Sequence, residues 1–486
     1  MVTRAREATA PRLALAADDE RTAGEVAAVA GARGFRVEPL DLEAAIDAPV
    51  GAIAYVPAVP PDVATAARLA PLCQRAAENR RPIILLAAFE RARGRAAEER
   101  ATSLAWLRSH GAIVLGDPDV WFETAVLIAA YGPPPGPRTC IIAPPGGWLN
   151  LSAIALAQEE EARGGARVPQ VADPEPSPPV DLALCDGNLG PPARLSDATR
   201  ALLVPVVARA EHLPVGGPAT LVGLRAALGA AHAAGAFAER LSQGLGPAPA
   251  SEARRLRPEK DKIDKAFARA GDLLGDHESK LLLAAYGVPV VRQGVATTPS
   301  AAVRIATICG WPVEIKPWEG SVSTEREGGP LSRGVKNPPD VRRAFADVAG
   351  LAGLQVGVPV IVRVTPPHGR DVAARIEKLP ELGWTVVAEI PGAGRPIAAP
   401  APLRRADADE IAAALESTRG GDAPPDRAAF ADLLVRASFA AVDREAEVEM
   451  LELSRVIVAP KGSGALVVDA RTRLRKKRVR PTPGGE

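Results

Sequence analysis

The amino-acid sequence predicts an α/β protein in which doubly wound parallel sheets are followed by an α+β module. The chain has 486 residues, more than one hydrophobic core usually serves, so we expect two to four domains. In the first part, short apolar runs such as RLALAA, PIILLAA and AIVLGD alternate with amphipathic stretches, as in parallel sheets with covering helices. Towards the end, strand-like runs follow one another with two helices between them, an order typical of an α+β module with a largely antiparallel sheet.

Segments rich in proline, glycine and charge predict the domain boundaries. The segment GPPPGPRT cannot continue a helix, so we place a first α/β domain at residues 1–137 and a smaller one at 138–245. The stretch GLGPAPASEARRLRPEKDK predicts a solvated linker at 246–265. The α+β module then occupies residues 266–475. Residues 476–486 form a basic tail that we expect to be solvated, with contact to an acidic partner or nucleic acid as the alternative.

Capping residues and apolar runs predict the first elements of the α+β module. A short helix over residues 276–286 is closed by Gly287, and VPVVRQGVA follows as a strand. Ser300 is predicted to cap a helix that runs to Cys309, and WPVEIK is predicted as a strand that ends at Lys316.

The later elements of the module are predicted from the same signals. The runs VIVRV, DVAARI and WTVVAEI are interpreted as strands of a further sheet. Two helices follow, over residues 409–416 and 428–442. VEMLELSRVIV then turns through residues 461–464 into the strand ALVVDA.

Composition excludes several classes of protein. Lys and Arg number 59 against 58 Asp and Glu, so the net charge of +1 gives no electrostatic footprint for nucleic acid. The four cysteines show no CxxC spacing and no neighbouring histidines, which favours reduced, buried thiols. The first apolar run is too short for a signal peptide, and none approaches the ~18 residues of a membrane span. We therefore expect a cytoplasmic protein with no membrane contact.

The segment HESKLLLAAYGVPVVRQGVATTPSAAVRIATICGWPVEIK resembles the start of the ATP-grasp domain in the NDP-forming (ADP-forming) acyl-CoA synthetases, the acetate–CoA ligase family. These enzymes join a carboxylic acid to CoA with cleavage of ATP, so the resemblance implies ATP as cofactor. It places Lys316 on the nucleotide phosphates, a role that suits a compact ammonium at a strand end. The alternative is a solvated surface lysine. Gly328 and Gly329 match the paired glycines of the phosphate loop, where the absence of Cβ lets N–H groups approach an anion, whereas a lone Gly-Gly is otherwise a turn.

The end of the chain departs from the family at its metal ligands. EMLELSRVIVAPKGSGALVVDAR resembles the closing strands, in which an E-L-D-I-N-P segment supplies Asp and Asn to Mg²⁺. Glu452 and Ser454 occupy those two places, and Arg455 replaces the proline. Glu452 keeps a carboxylate, but a hydroxyl is a poorer ligand than an amide carbonyl and Arg455 adds a positive charge, so the substitutions weaken the case for Mg²⁺.

Other positions that the resemblance assigns to the nucleotide also differ. Where the family has V-Q-E-M-V-P-G beside the adenine, this chain has VIVRVTPPHG, so Arg363 and Val364 replace the polar pair. Asp371 falls at the family's G-x-E position. A later stretch that carries carboxylates in the family appears shortened here, as RPIAAPAPLRR. Two supports of phosphoryl chemistry, acidic ligands and a charge-stabilising arginine, are therefore predicted to be missing.

The stretch NRRPIILLAAFERARGRAAEERATSLAWLRSHGAIVLGDPDVWFETAVLIA, within residues 40–145, resembles the succinyl-CoA-synthetase-like, flavodoxin-like domains of the same enzymes. These domains carry a phosphorylated histidine in an S-H-T-G segment. Glu98 or Glu99 aligns with that histidine. His110 lies further on, where the pattern favours an ordinary histidine at a helix end over a phosphoryl carrier. The leading CoA-binding domain is also predicted to be absent, because no glycine-rich fingerprint follows the first strand.

Two functions remain open from the sequence. The chain is a divergent acid–CoA ligase homologue that binds nucleotide with impaired or lost chemistry and no catalytic residue of its own, or an active ligase subunit that needs a partner for CoA binding and the phosphohistidine. We favour lost chemistry, and expect no acyl-CoA synthesis and no histidine phosphorylation by the chain alone. The predicted partners are a nucleotide and CoA or an acyl-CoA ligase paralogue, within an oligomer.

Overall fold

The computed structural model describes twelve segments of the chain, and all structural statements below concern these residues: 11–89, 94–143, 146–162, 171–172, 180–187, 201–213, 219–268, 271–318, 332–351, 359–393, 396–417 and 423–475. They fall into two compact units, one up to Gly246 and one from Pro247 onward. Within the described segments, no helix combines the length and apolar character needed to cross a membrane.

The first unit begins with a five-stranded parallel sheet of order β2-β1-β3-β4-β5. Its strands are apolar because helices cover both faces of such a sheet. Four of its helices begin at an aspartate, at positions 19, 41, 62 and 117, whose carboxylate accepts a bond from a backbone N–H of the first turn. The elements are β1 (Arg12–Ala17), α1 (Glu20–Ala32), β2 (Arg36–Pro39), α2 (Leu42–Asp47), β3 (Ala52–Val56), α3 (Val63–Glu78), β4 (Ile83–Leu86), α4 (Gly94–Ser109), β5 (Ile113–Leu115) and α5 (Pro118–Tyr131).

A second parallel sheet, of order β10-β9-β8-β6-β7, repeats the strand order of the first. Both orders are those of a doubly wound α/β fold, which confirms the predicted fold class. The two sheets share one hydrophobic core, in which α5 packs against α7. The elements are β6 (Thr139–Ile142), α6 (Trp148–Ala162), β7 (Val171–Ala172), β8 (Leu182–Asp186), β9 (Leu202–Val207), a 3₁₀ turn (Ala210–His212), β10 (Leu221–Val222) and α7 (Leu224–Gln243).

The second unit contains a six-stranded antiparallel sheet, β11-β20-β19-β16-β17-β18, and a four-stranded antiparallel sheet, β12-β15-β13-β14. The large sheet packs one face on α8, α9, α12 and α13, and the small sheet packs one face on α10 and α11. The strands are β11 (Leu273–Leu274), β12 (Gln293–Ala296), β13 (Val313–Pro317), β14 (Ser332–Val335), β15 (Val360–Val364), β16 (Arg370–Leu379), β17 (Gly383–Glu389), β18 (Ile397–Pro400), β19 (Val448–Val458) and β20 (Ala465–Leu474). The helices are α8 (Lys260–Phe267), α9 (Asp276–Ala285), α10 (Pro299–Cys309), α11 (Pro338–Leu351), α12 (Arg405–Ala413) and α13 (Arg427–Asp443), with 3₁₀ turns at Ala250–Leu256 and Ala414–Ser417.

Three details of the sequence prediction were wrong in this unit. The run VIVRV, which is β15, joins the four-stranded sheet between β12 and β13 rather than the sheet of β16 and β17, since the order of strands along a chain does not fix which sheet each one joins. Helix α10 is capped by Thr298, not Ser300, because Pro299 with its fixed φ takes the first helical position. Helix α12 begins at Arg405, four residues before the predicted start.

The segment predicted as a solvated linker is partly helical. It contains the 3₁₀ turn and most of α8, and Ile263 and Ala266 of α8 are buried in the core of the large sheet. The dense charges of this segment lie on the other face of the helix, so composition alone concealed the apolar stripe.

Candidate functional site

The four-stranded sheet has one apolar and one polar face. Val313, Ile315 and Val362 point toward α10 and α11, as the alternation of a strand requires. On the polar face, Glu314 of β13 lies directly opposite Arg363 of β15. Gln293 of β12 lies opposite Arg363 on its other side. Lys316 follows two residues after Glu314 and therefore shares its face.

Lys316 reaches from this polar face to the six-stranded sheet. Its Nζ lies 2.7 Å from Oδ1 of Asp469 on β20 and 3.0 Å from Oδ2 of Asp276 on α9. Only 14% of the side chain is exposed. Burial lowers the pKa of the ammonium, but the two carboxylates outweigh burial and the net shift is upward. Lys316 is therefore a held, charged group and not a freely solvated lysine.

Arg363 makes the second connection to β20. Its Nε donates to Glu314 Oε2 at 2.9 Å, and its Nη1 donates to Asp469 Oδ1 at 2.7 Å and to the carbonyl of Val468 at 3.1 Å. The side chain is 3% exposed. Burial opposes its charge, but the carboxylates of Asp469 and Glu314 raise the pKa overall. Arg363 thus clamps three strands, β13, β15 and β20, at one point.

Asp276 anchors the opposite side of the group from the first turn of α9. It is fully buried and accepts bonds from Lys280 Nζ, 2.9 Å away, and from the backbone N–H of Ala470, 3.1 Å away. Lys280 also donates to the side-chain oxygen of Gln293 at 2.8 Å. Burial lowers the pKa of Lys280 to about 8. Repulsion from Lys316 also lowers this pKa, whereas the carboxylate of Asp276 raises it. The two lysines share Asp276 yet shift in opposite directions, because Lys316 has a second carboxylate and is less deeply buried.

Asp469 is the carboxylate at which these contacts meet. Burial raises its pKa, but Lys316 and Arg363 outweigh burial and hold the pKa far below its usual range, so Asp469 stays ionised. The group contains three cations, Lys280, Lys316 and Arg363, and three carboxylates, from Asp276, Glu314 and Asp469. We call these six residues the ion cluster. Its formal charges cancel.

A second group of polar residues lies on the face of the six-stranded sheet that points away from the core. Arg455 of β19 pairs with Asp371 of β16, with Nε to Oδ1 at 2.7 Å and Nη2 to Oδ2 at 3.4 Å. Glu452 lies opposite Arg375 in the strand register, and Ser454 is exposed. Beside them, an open groove of about 600 Å³ is lined by Asp371, Val372, Ala373, Glu389, Ile390, Pro391, Pro396, Ser454 and Arg455.

A β-bulge places Ser454 and Arg455. The register of β19 shifts against β16 and against β20 within residues 452–456, and Arg455 comes to lie opposite Asp469. Bulges redirect side chains and leave a backbone group outside the ladder, which is why they tolerate a proline inside a sheet. Gly369 lies just before β16, where a Cβ would come within 2.5 Å of the Val458 carbonyl. Only glycine allows this approach, which brings Asp371 next to β19.

A comparison with known protein families identifies the fold of this unit. The family model of the ATP-grasp domain matches residues 265–474. Residues 265–474 form an ATP-grasp domain. The chain is 24% identical over 229 residues to the β subunit of ADP-forming acetate–CoA ligase II from Pyrococcus furiosus, over 44% of this chain and 96% of the relative. The β subunit of ligase I from the same organism is 25% identical over 240 residues, 45% of this chain and 98% of the relative. The ATP-grasp domain is thus homologous to β subunits of ADP-forming acetate–CoA ligases.

A solved structure of dinucleotide-forming acetyl-coenzyme A synthetase 1 from Candidatus Korarchaeum cryptofilum also resembles this chain. It was determined with coenzyme A, Ca-AMPCP and HgCl⁺. The identity is 26%, the match covers 44% of this chain and 99% of that chain, and the TM-score is 0.40.

The structure places the predicted site residues in two groups of the ATP-grasp domain. Lys316 and Arg363 belong to the ion cluster, and Asp371, Glu452 and Ser454 lie on the outer face of the large sheet. Gly328 and Gly329 lie outside the described residues. Four residues of the ion cluster were not predicted from the sequence as site residues: Asp276, Lys280, Glu314 and Asp469. For Glu314 and Asp469 the sequence carries one signal, a charged residue at every second position of an otherwise apolar strand, as in VEIK and VVDAR. Asp276 and Lys280 lie on helix α9, where that alternation does not apply.

The outer residues do not fit a magnesium site. Mg²⁺ prefers carboxylate and carbonyl oxygens in octahedral array. Among the described residues, no group of three or more His, Cys, Asp and Glu side chains could hold a metal ion. The carboxylate of Asp371 already contacts a guanidinium, and Ser454 offers one hydroxyl. A divalent ion at Glu452 and Ser454 would meet the positive charge of Arg455.

The positions that the sequence offered for a phosphorylated histidine lie on helix α4 of the first unit or directly after it. Glu99 lies on α4, where it pairs with Arg95 one turn earlier. His110 follows the last residue of α4, and its Nδ1 lies 2.7 Å from the carbonyl oxygen of Trp106. This is a contact of a ring nitrogen with the C-terminal carbonyls of a helix, as expected of a helix-end histidine.

Proposed function

We propose that this chain is a divergent member of the ADP-forming acyl-CoA synthetase family that binds a nucleotide through its ATP-grasp domain, and that its own acid–CoA ligase chemistry is impaired or lost. The family reaction joins a carboxylic acid to CoA while ATP gives ADP and phosphate. Binding and chemistry are separate parts of the proposal, because different residues support them.

The position of Lys316 carries the binding part. Two carboxylates fix its ammonium at the junction of the two sheets, and a lysine fixed in this way loses little side-chain freedom when a phosphate arrives. Two of its three N–H donors serve Asp276 and Asp469, which leaves one for a phosphate oxygen. Arg363 is 3% exposed and committed to Glu314 and Asp469, so we assign it a positioning role for Asp469 and Lys316.

The pair formed by Arg455 and Asp371 supports the loss of chemistry. Transfer of a phosphoryl group requires that the charge developing on it be stabilised, and a metal ion normally contributes much of this. The residues at the predicted metal position do not fit such an ion. Loss of one electrostatic contact of this kind costs on the order of 3 kcal/mol, about a hundredfold in rate.

A direct assay separates the two parts. Purified full-length protein is titrated with ATP by calorimetry, and is then incubated with γ-labelled ATP, Mg²⁺, CoA and a panel of short and aromatic acids. We expect binding of ATP without thioester formation and without acid-labile label on the protein. Formation of thioester would refute the loss of chemistry, and absence of ATP binding by folded protein would refute the nucleotide site.

The names of the relatives favour a second candidate function. Two of them are β subunits, and matches over less than half of this chain cover almost their whole length. An active subunit that needs a partner for CoA binding and for the phosphohistidine would be inactive alone. Addition of the α-type subunit of an ADP-forming acetate–CoA ligase to the same assay tests this: thioester that depends on both proteins would support the second candidate.

A further inference from the structure

We infer that the ATP-grasp domain binds its nucleotide without a divalent metal ion, and that the guanidinium of Arg455 supplies positive charge to the phosphates in its place. The inference rests on the nucleotide binding proposed above and specifies how that site is neutralised. It follows from the poor fit of the outer residues to magnesium together with three features of Arg455: its place in the fold, its chemistry and its availability.

The β-bulge of β19 brings Arg455 next to the ion cluster. Arg455 lies opposite Asp469 in the register of β19 and β20. Directly opposed residues of an antiparallel pair have Cα atoms about 4.5–5.5 Å apart. Asp469 in turn contacts both Lys316 and Arg363. A ligand phosphate near Lys316 is therefore within reach of an arginine side chain that starts at position 455.

The chemistry of a guanidinium suits this task. Its planar fork donates two parallel N–H bonds to phosphate oxygens and is charged at every physiological pH. The ion cluster cannot supply this charge, because its three cations are balanced by three carboxylates. A resident guanidinium also repels a divalent cation, so one position does not serve both.

Arg455 is available to a ligand, whereas Arg363 is not. The side chains of Arg455 and Asp371 are 34% and 57% exposed, and an exposed ion pair of this kind contributes little to stability. Exchange of Asp371 for a phosphate therefore costs little. The groove beside the pair leaves room for a ligand, and Glu389 on its wall is already paired with Arg375 at 3.5 Å.

ATP titrations of the full chain in Mg²⁺ and in EDTA test the inference. For the native protein we expect the two dissociation constants to agree within about threefold. Arg455→Gln should weaken binding in EDTA about tenfold or more, the loss of one charge-assisted contact. Arg455→Lys should recover part of this loss, because the charge returns without the fork.

A matched control and a reversal variant complete the design. Arg473→Gln removes an exposed arginine from the same strand as Asp469, about 13 Å along it, and should change binding less than twofold. The triple variant Glu452→Asp, Ser454→Asn, Arg455→Pro rebuilds the family's metal segment, and the bulge accommodates its proline. For the triple variant we expect binding in Mg²⁺ to be at least tenfold tighter than in EDTA.

The outcomes distinguish this inference from the proposed function. Native protein that binds ATP in Mg²⁺ and at least tenfold more weakly in EDTA overturns the inference and leaves the nucleotide site standing. Unchanged binding of Arg455→Gln in EDTA also overturns it. If folded native protein binds ATP in neither buffer, the proposed function fails and the inference fails with it.

Discussion

Replacement of Lys316 by methionine tests whether the held ammonium serves a nucleotide or only the fold. Methionine keeps the length of the side chain and removes the charge. A hydrogen bond between charged groups contributes about 1.5–3 kcal/mol, and 1.4 kcal/mol corresponds to a tenfold change in affinity. We therefore expect Lys316→Met to weaken ATP binding about 10- to 100-fold.

The same substitution should destabilise the protein only moderately. Removal of the sole partner of a buried charge costs about 3–5 kcal/mol. Here Asp276 keeps Lys280 and the N–H of Ala470, and Asp469 keeps Arg363. We therefore expect a loss of about 1–3 kcal/mol in the free energy of unfolding, below the range for a sole partner.

Calorimetric titration with ATP measures the first effect, and urea unfolding measures the second. Lys336→Met is the matched control, because Lys336 is an exposed lysine just after β14 of the same small sheet. For the control we expect an ATP affinity within twofold of the native protein and a free energy of unfolding within about 0.5 kcal/mol of it. If Lys316→Met is folded and binds ATP within twofold of the native protein, Lys316 has a structural role and the binding part of the proposal is wrong.

Three further predictions concern the stability of the ion cluster, each measured by urea unfolding. Glu314→Gln removes one carboxylate partner of the buried Arg363, which keeps Asp469, so it should destabilise the protein by about 1–3 kcal/mol. The double variant Glu314→Met with Arg363→Met should cost less than this single change, and a larger cost would contradict the reasoning. The pKa of Asp469 is lowered in the folded state, so its charge stabilises the protein above the unfolded pKa of about 4. The difference in unfolding free energy between native protein and Asp469→Asn should therefore shrink as the pH falls below that value. A difference that does not change with pH would exclude the ion pairs of Asp469 as the source of the stabilisation. The pKa of Lys280 is about 8 in the folded state and higher in the unfolded state, so the native protein should gain stability relative to Lys280→Met between pH 8 and 10. If the difference in unfolding free energy between the two proteins stays constant over this range, burial does not penalise the charge of Lys280.

The parallel part of the fold could be predicted from local sequence because its signals are local. Runs such as RLALAA and PIILLAA are buried on both faces, and an aspartate begins four of the neighbouring helices. The antiparallel part was harder. An antiparallel strand pairs with partners far away in the sequence, so the membership of β15 in the small sheet depends on contacts that its own five residues do not encode.

The candidate site shows the same division. Lys316 was found because it ends a strand inside a segment that resembles a known family. Asp276 and Asp469 were not, although both contact Lys316, because they lie 40 residues before it and 153 residues after it. A charged residue at every second position of an apolar strand marks a polar face, but only the assembled sheets show which residues from other elements meet that face.

The two polar groups of the ATP-grasp domain differ in what a ligand must displace, and this difference assigns their roles. In the ion cluster every cation already has a buried carboxylate partner, so withdrawal of one partner would leave a charge uncompensated in a poorly solvated place. At the outer face, separation of Arg455 from Asp371 returns Asp371 to water at little cost. A polyphosphate therefore gains most of its new charge contacts at Arg455, while the cluster holds Lys316 in place with one donor unused. If the nucleotide binds without a metal ion, as we infer, affinity is retained because Arg455, which would repel the metal, is itself a cation.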